Sequence, residues 1–331
     1  MKSPVQQANL PFVSVILPVR NEERFIALTL GAILNQTYPA ERIEILIADG
    51  LSDDHTVDVI RAQPGAERVQ IISNPRRIQA AGLNKAIQSA KGDYIIRVDG
   101  HTIIAPDYVE QCIAALQASG AQNVGGAMDP AGMTRVGKAI AAAGKSAFAV
   151  PSAFHISQQA QYTDTVYLGA WPRSVFEQVG SYNEHVGVNE DYELNYRIRK
   201  AGGKIYFSPA IRSQYFGRQT LRALAVQYLR YGKSKVKTLR EHLSSLRLRQ
   251  IVAPAFVVWI FAGLPLILMN SPLLVLWLGG IAAYLILNLF FSVRVAARYG
   301  GGLLPWLPLV FLTIHLAWGI GFWMELLKPA P

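Results

Sequence analysis

The chain has one cysteine, Cys112, in 331 residues. That excludes an intramolecular disulfide framework and any multi-cysteine zinc site, and it fits a reducing compartment. Charge is also scarce. Charged residues make up 16% of the chain and hydrophobic ones 51%, where soluble domains carry ~25% charge. Disordered, collagenous and low-complexity classes are therefore out. No Gly-x-Gly-x-x-Gly follows the first strand-like run, and no Gly-x-x-x-x-Gly-Lys-Ser/Thr occurs. The dinucleotide and P-loop fingerprints are absent. The early apolar run at 12–19 is too short, and wrongly flanked, for a secretory signal. There is no zinc-finger, RNA-binding or heptad pattern.

The charge that is there is basic: 32 Lys+Arg against 22 Asp+Glu, a net +10. A basic balance points to an anionic partner, and its placement decides which. From Ile251 onward the chain is nearly charge-free, with three apolar runs at 251–269, 272–293 and 303–324. Each is close to the ~20 residues that cross a hydrocarbon core. Asn270 and Ser271 predict a tight hairpin between the first two. The third run is expected to span or to re-enter. Ahead of them stand Arg230, Lys233, Lys235, Lys237, Arg240, Arg247 and Arg249, opposed only by Glu241. The positive-inside rule puts this collar, and all that precedes it, in the cytoplasm, with Arg294 and Arg298 on the same side. The basic charge thus faces membrane lipid headgroups, and no nucleic acid is needed to explain it. The expected division is a catalytic domain over 1–229, a basic amphipathic segment over 230–250 and a multi-pass membrane domain over 251–331.

The N-terminal part reads as α/β. Strand-like runs at 13–19, 43–48, 69–72 and 94–98 alternate with helical patterns, notably at 79–89. That order predicts a mainly parallel sheet covered on both faces. Ligands bind at the carboxyl ends of such strands, where this chain has Glu22, Asp49 and Asp99.

Three constellations carry candidate chemistry. Asp99-Gly100-His101 puts a carboxylate and an imidazole two residues apart, a pair that suits Mn²⁺. Alone, such a triplet more often makes a turn. Glu190-Asp191 puts adjacent carboxylates before a helix, as a general base and its orienter need. Alone, it equally reads as an acidic first turn favoured by the macrodipole. Gln227, Arg230 and Tyr231 share a helix face that suits a sugar or a diphosphate, and equally an amphipathic helix whose arginine snorkels.

The order of these elements is more specific than any one of them. Over about residues 11–235 it resembles the family 2 glycosyltransferases of GT-A fold. Val13-Ser-Val-Ile-Leu-Pro18-Val-Arg20-Asn-Glu22 resembles their opening strand and nucleotide turn, and Leu46-Ile-Ala-Asp49-Gly-Leu-Ser52-Asp53 the element that holds the base. Ala81-Gly-Leu-Asn-Lys85-Ala86 resembles their Gly-x-x-x-Ala helix. Asp99-Gly-His101 sits where the family has Asp-x-Asp, Gly169-Ala-Trp171-Pro-Arg173 resembles the acceptor-side segment, and Asn189-Glu190-Asp191 the catalytic Glu-Asp motif. Gln227-x-x-Arg230-Tyr231 is similar to Gln-x-x-Arg-Trp of polysaccharide synthases. Within the family the pattern is most similar to the ExoA-like succinoglycan enzymes, which combine Asp-x-His with a short membrane tail. His101 in place of an acid and Tyr231 in place of tryptophan are departures.

The resemblance implies an inverting transfer of a sugar from a nucleotide-diphosphate donor, UDP-glucose or similar, to a lipid-diphosphate-linked saccharide. It implies Mn²⁺ or Mg²⁺ on Asp99 and His101, and Asp191 as base with Glu190 beside it. Pro18, Arg20, Glu22, Asp49, Ser52, Arg77, Lys85 and Asp99 would bind the nucleotide-sugar. Trp171, Arg173, Gln227, Arg230 and Tyr231 would face the acceptor or a diphosphate. A small processive synthase and a non-catalytic nucleotide-sugar-binding subunit are the alternatives.

Overall fold

The computed structural model describes residues 10–149, 159–185, 190–241, 250–268 and 273–329. Asn189, His155, His242, Arg247 and Arg249 lie outside the described residues. The chain divides into two compact units, Met1–Asp129 with Ala153–Tyr215, and Pro130–Ser152 with Phe216–Pro331.

The first unit is built on strands β1 (Val13–Val19), β2 (Ile43–Asp49), β3 (Val69–Ser73), β4 (Tyr94–Arg97), β5 (Thr102–Ile104), β6 (Asn123–Ala131), β7 (Gln161–Tyr162), β8 (Ala170–Pro172) and β9 (Ile205–Phe216). They form one sheet in the order β3-β2-β1-β4-β8-β6-β9-β5, with β7 on β9. β1 pairs in parallel with β2 and β4, and β2 with β3. Beyond β4 the pairing turns antiparallel, at β8 on β4 and at β5 and β7 on β9.

Period-two alternation sorts the strand residues to two faces. Val13, Val15, Leu17, Ile43, Ile45 and Ile47 form one core with helices α1 (Ile26–Leu34), α2 (Thr56–Arg61) and, beyond α3 in the chain, α4 (Tyr108–Ser119). Ile16, Leu46, Ala48 and Ile95 form the other with α3 (Gln79–Ser89), α6 (Ser174–Val179) and α7 (Glu190–Lys200). Both faces are buried, which is why β1 and β2 read as nearly continuous apolar runs. Each buried Leu or Ile contributes about 1.5–3 kcal/mol to holding these layers. Cys112 is one of these core residues on α4, and burial pushes its thiol well up. It is packing, not a nucleophile.

The second unit contains α5 (Arg135–Gly144), α8 (Leu221–Glu241), α9 (Val252–Leu268), α10 (Leu273–Tyr299) and α11 (Leu307–Leu326). Thr134 caps α5, its hydroxyl accepting from Gly137 N at 2.8 Å. Only α10 and α11 are long and apolar enough, among the described residues, to cross a membrane. The first apolar run forms α9, described over 17 residues. The second run continues as helix to Tyr299, taking in Arg294 and Arg298, which stack on Phe290 and Tyr299. No breaker intervenes before Gly300.

Small residues let these helices close. A Cβ on Gly321 would meet Leu229 O at 2.2 Å, and one on Gly232 would meet Trp318 O at 2.2 Å, so α8 and α11 touch backbone to backbone. Arg240 donates to the carbonyls of Glu325 and Lys328, finishing the α11 C-terminus. The expected boundary at 229/230 therefore falls inside α8. The basic stretch up to Arg240 is the second half of one helix bonded to α11, because that helix's contacts run along its full length.

Candidate active site

The carboxyl ends of β1 and β2 are locked to each other by side chains. Asn21, at φ 58, donates its amide N–H to Ser52 Oγ at 3.0 Å and its Nδ2 to Asp53 Oδ1 at 2.6 Å. Ser52 Oγ in turn donates to Asp49 Oδ1 at 2.6 Å. Thr56 Oγ1 accepts from Glu22 N at 2.7 Å and donates to Asp54 Oδ1 at 2.5 Å. These hydrogen bonds hold the turn that follows β1 and aim Glu22.

The turn after β4 comes against it. Thr29 Oγ1 donates to Gly100 O at 3.0 Å. A Cβ on Gly100 would come within 3.0 Å of Glu22 Cγ and 3.1 Å of Val19 Cγ1, so any side chain here would crowd the turn that follows β1. His101 Nδ1 pairs with Glu22 Oε1 at 2.8 Å, and its ring meets Tyr215 edge-on at 5.0 Å. Between the turns lies a cleft of about 190 Å³ lined by Pro18, Arg20, Glu22, Gly50, Asn74, Arg77, Asp99 and His101, among others. Two cations and four polar or acidic groups around a small cleft suit a charged, polar ligand.

Arg97 ends β4. Period two sends it, with Asp99, to the face covered by α7, while Ile96 and Val98 go to the other. Its Nε donates to Asp99 Oδ1 at 2.8 Å and its Nη2 to Asp99 Oδ2 at 3.3 Å. Nη2 also lies 3.5 Å from Glu190 Oε1, and Nη1 bonds Asp191 Oδ1. The guanidinium sits 5.9 Å from the Tyr182 ring centroid. One buried cation thus joins the Asp99 turn to the first turn of α7.

A polar network sets α7 itself. Asn195 Nδ2 donates to Thr165 Oγ1 at 2.8 Å and its Oδ1 accepts from Asn123 Nδ2 at 2.7 Å. Leu194 and Ile198 pack into the core. Arg197 donates to the carbonyls of Gly180 and Ser181. Asn84 on α3 donates to Tyr182 O at 2.9 Å and to Glu184 Oε1 at 2.8 Å, and accepts from Tyr182 N at 2.9 Å. The approach to α7 is pinned from both sides.

The electrostatics are unequal. Burial opposes the charge on Arg97, but Asp191 and Asp99 hold its proton well above the usual range. The Asp191 carboxyl is pushed up to about 7. Burial leads that shift, Arg97 opposes it, and Glu190 and Asp99 add repulsion. With 31% of its side chain exposed, Asp191 remains reachable. A base near neutrality that can be reached suits proton abstraction from a hydroxyl.

Asp99 and His101 are the residues that could hold a metal. Among the described residues no cluster of three His, Cys, Asp or Glu is set to hold an ion. Asp99 and His101 line the same cleft, and a carboxylate with an imidazole suits Mn²⁺. This donor set fits an ion completed by oxygen ligands arriving with a bound anion, rather than one held by protein alone.

The family model described as glycosyl transferase family 2 matches residues 14–163, and that of glycosyl transferase family group 2 matches residues 94–324. The chain belongs to glycosyltransferase family 2. Its relatives include the succinoglycan biosynthesis protein ExoA of Rhizobium meliloti strain 1021, 31% identical, covering 95% of this chain and 94% of ExoA. Another, from Methanococcus voltae, is a dolichyl N-acetyl-alpha-D-glucosaminyl phosphate 3-beta-D-2,3-diacetamido-2,3-dideoxy-beta-D-glucuronosyltransferase, 26% identical over 96% of this chain and 98% of that one. Among solved structures, the mannosyltransferase PcManGT of Pyrobaculum calidifontis, in complex with GDP-Man and Mn²⁺, superposes with a TM-score of 0.62 at 17% identity, covering 93% of this chain and 88% of its own. That likeness carries the GT-A fold alone.

In this family 2 enzyme the cleft gathers Pro18, Arg20, Glu22, Arg77, Asp99 and His101. Asp49 and Ser52 are hydrogen-bonded to each other, and Ala48 and Gly50 line the cleft beside them. Lys85 donates to Ser73 O at 2.8 Å. Trp171 is a core residue, 1% exposed, packed edge-on to Phe176 and Tyr182. Arg173 reaches the Ala90 carbonyl. Gln227, Arg230 and Tyr231 lie on α8 in the second unit, where Gln227 Nε2 donates to Tyr231 Oη at 2.9 Å. The residue missed by sequence reasoning is Arg97. Its signal was there: a lone charge in the strand Tyr94-Ile-Ile-Arg97-Val98, two residues before Asp99.

Proposed function

We propose that this family 2 glycosyltransferase is a membrane-bound, inverting hexosyltransferase. It moves a sugar from a nucleotide-diphosphate donor, UDP-glucose or similar, to a lipid-diphosphate-linked saccharide in exopolysaccharide or cell-surface glycan assembly. The observation that carries this reading is the bridge from the cleft residue Asp99 through Arg97 to Glu190 and Asp191. It joins a donor site to a base, which a binding subunit does not need. The ExoA relative's name in succinoglycan biosynthesis and the dolichyl phosphate-linked acceptor named for the Methanococcus voltae relative support a lipid-linked acceptor.

In this reading Asp191 takes the proton of the acceptor hydroxyl as that oxygen bonds the anomeric carbon. The bond from that carbon to the diphosphate oxygen breaks on the opposite side, and the configuration inverts. Glu190 holds the acceptor beside it. Arg20 and Arg77, which line the cleft, offset the charge of the leaving diphosphate. Asp99 and His101 would hold the divalent ion, which when bound adds Lewis-acid charge neutralisation. The apolar helices α10 and α11 anchor the enzyme in the leaflet that carries its acceptor, with the catalytic unit on the cytoplasmic side.

The test is transfer by the full chain in detergent, with UDP-glucose, UDP-galactose, UDP-N-acetylglucosamine and GDP-mannose, with and without Mn²⁺, and native lipid extract as acceptor. Metal-dependent addition of one sugar, lost in Asp191→Asn, supports the proposal. A long polymer would point to a processive synthase. Nucleotide binding without turnover in folded protein would overturn the enzyme assignment for this acceptor class.

A further inference from the structure

Arg97 has no path to substrate. Its side chain is 3% exposed, is hydrogen-bonded to Asp99, and does not line the cleft. A purely structural role does not explain it either. Buried ion clusters are poor stabilisers, and an apolar side chain would fill a β4 core position at less cost. Here one cation faces three carboxylates, which leaves the cluster net negative. That arrangement makes sense if a second positive charge visits it.

The two edges of the guanidinium do different work. Nε and Nη2 grip Asp99, the member that lines the cleft. Nη1 grips Asp191, and Nη2 is shared with Glu190. The planar fork fixes the directions of both grips at once, which a lysine could not do. We infer that Arg97 is a positioning residue that couples occupation of the donor site to alignment of the catalytic carboxylates, by dividing one buried guanidinium between Asp99 and the Glu190–Asp191 pair. Positive charge reaching Asp99 with the donor weakens that carboxylate's hold on Arg97. The guanidinium then serves Glu190 and Asp191 more fully, so the base is set when a donor is present. The inference rests on the transferase reading above.

The experiment compares full-length wild type, Arg97→Gln and Arg97→Lys in detergent. Calorimetry reads UDP binding with and without Mn²⁺, and steady-state transfer reads kcat and KM separately. In Arg97→Gln, Asp99 loses its neutralising partner, so Mn²⁺-dependent UDP binding should hold or tighten by up to about tenfold. The same variant should lose about 100-fold in kcat, because the carboxylates are no longer aligned. Arg97→Lys keeps the charge but not the fork, and should recover kcat only partly, staying about tenfold below wild type. Binding that holds or tightens while turnover falls is the signature, since general loss of structure would lower both. The inference is overturned if kcat in either folded variant stays within about threefold of wild type, or if binding and kcat fall in parallel. If Arg97→Gln does not fold, Arg97→Lys decides. Wild type that binds UDP but transfers nothing counts against the proposed function itself, not against the coupling.

Discussion

Acidification should disable Asp191 at a pH where an ordinary aspartate would still be ionised. With its carboxyl at about 7, the ionised share is ~90% near pH 8, ~10% near pH 6 and ~1% near pH 5. The value of kcat/KM for the acceptor should therefore fall about tenfold per unit below pH 7. Glu190→Gln removes a repelling charge that raises Asp191, so it should move this acid limb to lower pH. The assay is nucleotide release at saturating donor across pH 5 to 8 at constant ionic strength. A second readout follows by linkage. The folded-state carboxyl is raised above its ordinary value, so the fold favours the protonated form. Asp191's contribution is favourable at low pH and is lost as pH rises through about 7. Asp191→Asn should then raise Tm near pH 8 and change it less near pH 5. A flat rate across the range, with turnover still abolished in Asp191→Asn, would refute the assignment of the limb to this group.

Three further outcomes follow from packing. Asn84→Ala strips partners from the buried N–H and C=O of Tyr182. It should cost about 2–5 kcal/mol, read as a fall in Tm in detergent, with transfer falling as the approach to α7 loosens. Gly100→Ala forces a Cβ to within 3.0 Å of Glu22 Cγ. Overpacking of this kind costs about 1–3 kcal/mol, and titration calorimetry should show weaker UDP binding, because the two turns that line the cleft are pushed apart. Gly232→Val puts a Cβ 2.2 Å from Trp318 O. Thermal melts of the detergent-solubilised protein should show a Tm drop of several degrees as α8 and α11 separate. An unchanged melt would mean that the close helix contact carries no stability.

The parts of this protein that the sequence makes legible are those whose cause is local. The runs at β1 and β2 are apolar because both sheet faces are covered, and the covering helices alternate with them. The carboxylates at the strand ends, Glu22, Asp49 and Asp99, are readable because parallel strands present their ends together. Less legible were β5 to β9. Those strands are short or irregular, such as Ala170–Pro172, and their pairing partners lie far away in the chain, as with Thr102 opposite Tyr215. The apolar tail was visible by composition, but α10 runs past its apolar run to Tyr299, taking in Arg294 and Arg298.

The sequence by itself determined the α/β order, the family, the acidic motifs and the apolar C-terminal helices, because hydrophobic period and short motifs are written in neighbouring residues. Tertiary structure alone decided which motif residues work together. It put Trp171 into the core. It also brought Asp99 and Asp191, 92 positions apart in the chain, onto the one guanidinium of Arg97. The reason is physical. A strand's period says which face a side chain takes, but only packing of α7 on that face says what it meets there.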